Sequence, residues 1–71
     1  MEHEIIEATC EWFEIDKGSF DFVVHYVMLP DTDKFEGYVG ELGYLVTVSL
    51  SGKLWNAVYF SQHFDSIWSF P

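Results

Sequence analysis

Two stretches of this chain alternate apolar and polar side chains, and each is broken by a glycine-containing turn. In the first, Ile5 to Leu29, the turn signal is Asp16-Lys17-Gly18-Ser19, where Gly18 supplies the positive φ that a tight turn needs. A two-residue turn at Lys17-Gly18 would set Glu14 opposite Asp21, a repulsive cross-strand pair. A three-residue loop, Asp16-Lys17-Gly18, avoids this and pairs Ile15 with Ser19. Trp12 then faces Phe22, Cys10 faces Val24, Ala8 faces Tyr26 and Ile6 faces Met28. The other face carries Glu7, Thr9, Glu11, Phe13, Asp21, Val23, His25 and Val27. One apolar and one mixed, acidic face is the pattern of a half-buried antiparallel sheet.

A helix competes for the start of this stretch. Glu4, Glu7, Glu11 and Glu14 fall at helical spacing and leave Ile5, Ile6, Trp12 and Phe13 towards the other side. Gly18 would then lie in the C-cap region. Glutamates three and four apart repel by roughly 0.2–0.5 kcal/mol per pair. Glu11, Glu14 and Asp16 would crowd the negative end of the helix dipole. Ile, Thr, Cys, Trp and Phe also suit strands better than helices. On these grounds the hairpin is the preferred reading.

Leu29-Pro30-Asp31-Thr32-Asp33-Lys34 ends the strand, because proline donates nothing to a ladder and Asp and Thr favour turns. Gly37, Gly40 and Gly43 follow at a spacing that matches neither the Walker nor the dinucleotide pattern, so they read as bends or bulges in a strand that starts late. Tyr44 to Leu50 is the clearest strand, and Leu54 to Phe60 returns after a turn. With Leu50-Ser51-Gly52 as the loop, Val48 pairs with Leu54, Val46 with Asn56 and Tyr44 with Val58. Leu45, Thr47, Trp55, Ala57 and Tyr59 occupy the second face. Both faces are apolar enough to place this hairpin centrally or to offer one face to a partner. From Ser61 on, Phe64, Ile67 and Trp68 suit a short helix, whereas Phe64, Ser66, Trp68 and Phe70 suit a strand.

The expected fold is therefore mainly β: two hairpins in a small antiparallel sheet of about four to five strands, curled or barrel-like, with a short C-terminal helix or strand. The alternative is α+β, with a helix over residues 4–15 packed on a three-stranded antiparallel sheet. No repeat or linker divides residues 1–71, which read as one small acidic domain. At 71 residues the chain is near the lower limit for an unstapled core, and its seven Phe, four Tyr and three Trp compensate with large buried areas.

Charge changes the picture most. Twelve acidic residues face three lysines and no arginine, for a net charge of −9. Glu2, Glu4, Glu7, Glu11, Glu14 and Asp16 precede the first lysine. Direct binding of nucleic acid or an anionic membrane needs cations the chain lacks. A basic protein surface is the fitting mate, although acidity also serves solubility. Met1-Glu2-His3-Glu4 is acidic where a secretory leader would be basic, and no apolar run approaches the ~18 residues of a membrane span. A single cysteine fits a reducing cytoplasm, the chain's own or a host's.

Little points to catalysis. His3, His25 and His63 have no local metal-ligand spacing, so no metal and no cofactor is expected. His63 and Asp65 would share a strand face, but no serine or cysteine is placed for triad chemistry. Cys10 falls on the apolar face, where its thiol pKa should rise, as for a small core residue. The chain is not expected to be an enzyme.

The acidic surface is the best candidate site. As a helix, Glu4, Glu7, Glu11 and Glu14 present a charge about every 5 Å, near the ~3.4 Å spacing of phosphates along one DNA strand. As a strand, Glu7 and Glu11 lie beside Asp21, with Asp31, Asp33, Glu36 and Glu41 extending the negative surface. Trp55 and Tyr59 would supply the aromatic anchor an interface needs. Such a surface can occupy a basic groove built for nucleic acid, by charge mimicry or as a steric block. In composition alone the chain resembles, as a class, inhibitors carried by phages and plasmids: anti-CRISPR, anti-restriction and nuclease immunity proteins. The alternative function is an assembly module that self-associates, as a homodimer or within a larger complex, through an aromatic sheet face.

Overall fold

The computed structural model describes residues 2–69. The amino-terminal stretch is a helix, α1 (Glu2–Phe13), and not the first strand of a hairpin. Tertiary burial reverses the local preference. Ile5 and Thr9, one turn apart, are fully buried, and Ile6, Ala8 and Phe13 pack around the same core. Burying one isoleucine contributes about 1.5–3 kcal/mol, against propensity differences of at most ~0.7 kcal/mol per residue. Thr9 would be costly in that core with an unpaired hydroxyl, but its Oγ1 donates to the Ile5 carbonyl at 2.8 Å. The pairs expected of the first hairpin, Trp12 with Phe22 and Cys10 with Val24 among them, are therefore not formed.

The helix stops at Glu14, not near Gly18. Glu14 has a left-handed φ of 55°. Its N–H bonds the Glu11 carbonyl at 3.3 Å, and the Ile15 N–H reaches back to the Cys10 carbonyl at 3.0 Å. These two bonds are those of a Schellman stop, with glutamate where glycine is usual. A single 3₁₀ turn, Lys17–Ser19, then leads into the sheet.

Four antiparallel strands follow: β1 (Asp21–Met28), β2 (Leu42–Leu50), β3 (Lys53–Ser61) and β4 (Ile67–Ser69), in the spatial order β1-β2-β3-β4. The fold is mainly β with one short helix. Its sheet is open, not the barrel-like closure that was one expectation, and it has one strand more than the α+β alternative. β1 pairs with β2, setting Phe22 against Val48, Val24 against Val46 and Tyr26 against Tyr44. The β2–β3 hairpin is central, as its two apolar faces imply.

Its register differs from the expected one by two residues. Leu50 pairs with Lys53 across a two-residue turn, Ser51-Gly52, with φ of 52° and 79°. Positive φ at both central positions matches the right-handed strand twist. Beyond it, Ser49 pairs with Leu54 but Val48 with Asn56, so Trp55 is an extra, bulged residue. Val46 consequently meets Val58 and Tyr44 meets Phe60.

The sheet has two unlike faces. On one, α1 covers Val46, Val48, Val58 and Phe60, with Phe22, Val24 and Ile67 at the margins. On the other, the 29–41 segment folds over one end, its single 3₁₀ turn (Asp33–Phe35) driving Phe35 onto Tyr59 and Trp68 at centroid distances of 5.0 and 4.9 Å. Gly37 and Gly40 bend this segment with φ of 88° and 81°, whereas Gly43 lies within β2 and is buried. The C-terminal ambiguity resolves into a turn over 61–66 followed by β4, with Trp68 opposite Tyr59. Phe70, part of the strand reading, lies outside the described residues.

Candidate functional site

The acidic positions separate by element. On α1, Glu4, Glu7 and Glu11 follow one another at helical spacing on the side opposite Ile5 and Thr9, and all are exposed. Glu14 stands just past the helix end, also exposed. The same pattern that buries Ile5 and Thr9 forces these carboxylates outward, so the stripe is a geometric consequence of the core.

Two basic groups lie beside this stripe. His3 Nε2 is 3.4 Å from Glu7 Oε2, and Lys17 Nζ is 3.4 Å from His3 Nδ1. With the imidazole proton on Nε2, the lysine donates to His3 and His3 donates to Glu7. All three side chains are exposed, and such contacts contribute little. Among the described residues nothing neutralises Glu11. An open depression of about 280 Å³ lies alongside, lined by Glu7, Cys10, Glu11, Ile15, Asp16 and Lys17.

The other acids expected of the site do not extend the stripe. Asp21 pairs with Ser49 in the register that points its side chain to the face away from α1. Asp31, Asp33, Glu36 and Glu41 are exposed on the segment that folds over that far face through Phe35. The molecule thus carries two separate negative regions, one on α1 and one on the 29–41 segment. Trp55 and Tyr59 are divided likewise. The bulge turns Trp55 to the α1 side, against Phe13 and Phe20 at 5.4 and 5.0 Å, whereas Tyr59 packs under Phe35 on the far side. Trp55 remains 43% exposed, adjoining the end of α1 where Glu14 stands.

Comparison with protein-family models, curated proteins and solved structures finds no match to this chain. The chemistry of the side chains carries the rest. Among the described residues no cluster of three metal-ligating side chains forms, and no helix is long and apolar enough to cross a membrane.

Ser61, His63 and Asp65 lie within one turn, which the sequence did not single out as a set. Ser61 Oγ donates to Asp65 Oδ1 at 2.5 Å and accepts the Ser66 N–H at 2.9 Å. Ser66 Oγ in turn contacts the Tyr38 hydroxyl at 2.9 Å. Ser61 is buried and its hydroxyl is spent on closing the turn, whereas His63 is exposed. The arrangement is a structural clasp between the β3–β4 turn and the 29–41 segment. Cys10 is half-buried, and desolvation raises its thiol pKa, with Lys17 nearby acting in the opposite direction and Asp16 and Glu7 adding to the rise. That environment suits packing, not a nucleophile.

Proposed function

We propose that this protein is a small acidic inhibitor that docks the outer face of α1 into a basic groove on a nucleic-acid-handling protein. The observation that carries the reading is the row Glu4, Glu7 and Glu11 on the face opposite the buried Ile5 and Thr9. The carboxylates of Glu4, Glu7 and Glu11 are separated by about 4.5 and 6 Å along the axis, against an axial rise of ~3.4 Å per phosphate on one DNA strand. Lysine and arginine side chains that line such a groove pair with carboxylates through the same charge-assisted bonds they make to phosphate. Block by charge mimicry and block by simple occupancy use the same face. Inhibitors of this type are of use to mobile elements such as phages, whose hosts defend themselves with nucleases, and the site of action is then the host cytoplasm.

Glu14 continues the row past the helix end, and the half-exposed Trp55, packed on Phe13, offers an aromatic group near that end. Asp31, Asp33, Glu36 and Glu41 lie too far round the molecule to enter the same groove, and they contribute to long-range attraction instead. Binding should be steered by charge and lost steeply as salt rises. The test is capture of host nucleic-acid-handling proteins on the immobilised chain. A bound nuclease or restriction or CRISPR component that elutes between low and moderate salt, and that fails to bind a Glu7→Lys/Glu11→Lys variant, supports the reading. Retention unaffected by both salt and substitution would refute it.

A further inference from the structure

The two edges of the sheet are built differently. The β3–β4 edge is obstructed: among the described residues β4 is three residues long and pairs with Val58 to Phe60, and β3 outside that stretch carries Lys53 and the Trp55 bulge. Short strands, lysines and bulges are the devices that keep a sheet edge from pairing. β1 has none of them. It runs unbroken over Asp21–Met28, without lysine, proline or bulge.

The outward backbone groups of β1 can be identified. The Leu29 N–H bonds the Glu41 carbonyl at 2.8 Å, continuing the β1–β2 ladder. Alternation then directs Val27, His25 and Val23 towards β2, leaving the N–H and C=O groups of Phe22, Val24, Tyr26 and Met28 on the free edge. Several side chains along this edge are also open: Val23 and Tyr26 are 54% exposed and Met28 is 66% exposed.

We propose that two copies of the chain pair antiparallel through β1, about a two-fold axis at His25, to form one continuous eight-stranded sheet. In this register the outward residues match one another: Phe22 of one copy bonds Met28 of the other, and Val24 bonds Tyr26. Every free backbone group of the strand is used. The side chains agree with the backbone. Met28 comes beside Phe22 and Val24 beside Tyr26 on the α1 side, with Val23 beside Val27 on the far side, so exposed apolar groups cover one another. Asp21, the one carboxylate in β1, falls opposite Leu29, so no carboxylates meet across the seam. A cationic foreign strand would find no row of acids along this edge to pair with. A second copy therefore fits it better. The pairing does not depend on the inhibitor reading, because it uses the backbone and side chains of β1 and not the carboxylates of α1.

The experiment combines mass and crosslinking. Light scattering on the intact chain should give twice the 8.3 kDa protomer mass, and a monomer at all concentrations tested would overturn the proposal. In a Cys10→Ser background, His25→Cys should give a disulfide-linked dimer on mild oxidation, because the two residues face each other in a non-hydrogen-bonded pair with short Cα separation. Val23→Cys, opposite Val27, should not. Val23→Lys should abolish the dimer, whereas Leu54→Lys, also exposed but on β3, should leave it intact. Because both side chains are exposed, circular dichroism should show both variants folded. A dimer that forms without the His25→Cys crosslink, or that Leu54→Lys but not Val23→Lys disperses, would also overturn it.

Discussion

Phe13, at the end of α1, meets Trp55, the bulged residue of β3, edge to face with 5.4 Å between ring centroids and 76° between ring planes. The contact exists because one extra residue in β3 turns an indole that strict alternation would send to the far face. It joins the end of the helix to the end of the sheet, with Phe20 closing the group at 5.0 Å.

Trp55→Ala should therefore destabilise the protein by about 2–3 kcal/mol, less than a fully buried tryptophan because the ring is partly exposed. Urea titration followed by far-ultraviolet circular dichroism measures this. Trp55→Phe should recover more than half of the loss. An effect below about 0.5 kcal/mol would mean that the helix end is held by something else.

Glu14 occupies a left-handed position with φ of 55°. An L-residue there costs about 1–2 kcal/mol, and its carboxylate faces the negative end of the helix dipole. Glu14→Gly should raise stability by about 0.5–1 kcal/mol, after the entropy glycine gains in the unfolded chain is deducted. Thermal melts should show a rise of about 3–6 °C in Tm.

Gly43 sits where a Cβ would lie 2.5 Å from the Phe60 carbonyl oxygen and 2.9 Å from Leu29 Cδ2. The first neighbour is backbone and cannot rotate away. Gly43→Ala should cost about 2–3 kcal/mol, read from chemical denaturation, whereas Gly18→Ala, with only an Asp16 carboxylate oxygen 3.5 Å away, should change little.

Burial holds the Cys10 thiol above its ordinary pKa of 9.0. An acid whose pKa is raised by folding stays protonated through the pH range in which the unfolded thiol ionises. Alkylation of the native protein by iodoacetamide should therefore be slower than that of the urea-unfolded chain at pH 8, and should still be rising above pH 9. A native rate that reaches its plateau below pH 9 would contradict the burial argument.

Much of the sheet was legible in the sequence because its signals are local. Pro30 ends β1, alternation marks Tyr44–Leu50, and Ser51-Gly52 marks the turn. The β2–β3 register was not legible, because the two-residue turn and the bulge at Trp55 each move it and neither has a strong composition signal. The amino-terminal segment shows the opposite conflict. Ile, Thr, Cys, Trp and Phe favour strands one by one, yet the 4-7-11-14 spacing of glutamates records the helix, and burial of Ile5 and Thr9 decides between them. The acidic stripe was visible through that same spacing. Its separation from Asp21 and from the 29–41 acids was not, because it follows from which face of the sheet each segment covers.

The proposed docking requires Glu7 and Glu11 to take the place of phosphates on a cationic partner. The most direct measurement is displacement of labelled nucleic acid from the captured partner by this protein, compared with its Glu7→Gln/Glu11→Gln variant, at about 50 and 200 mM salt. The native chain should displace the nucleic acid at low salt, with at least about tenfold weaker displacement by the variant, which is ~1.4 kcal/mol, and a smaller salt dependence for the variant. Equal displacement by both, with the same salt dependence, would contradict it.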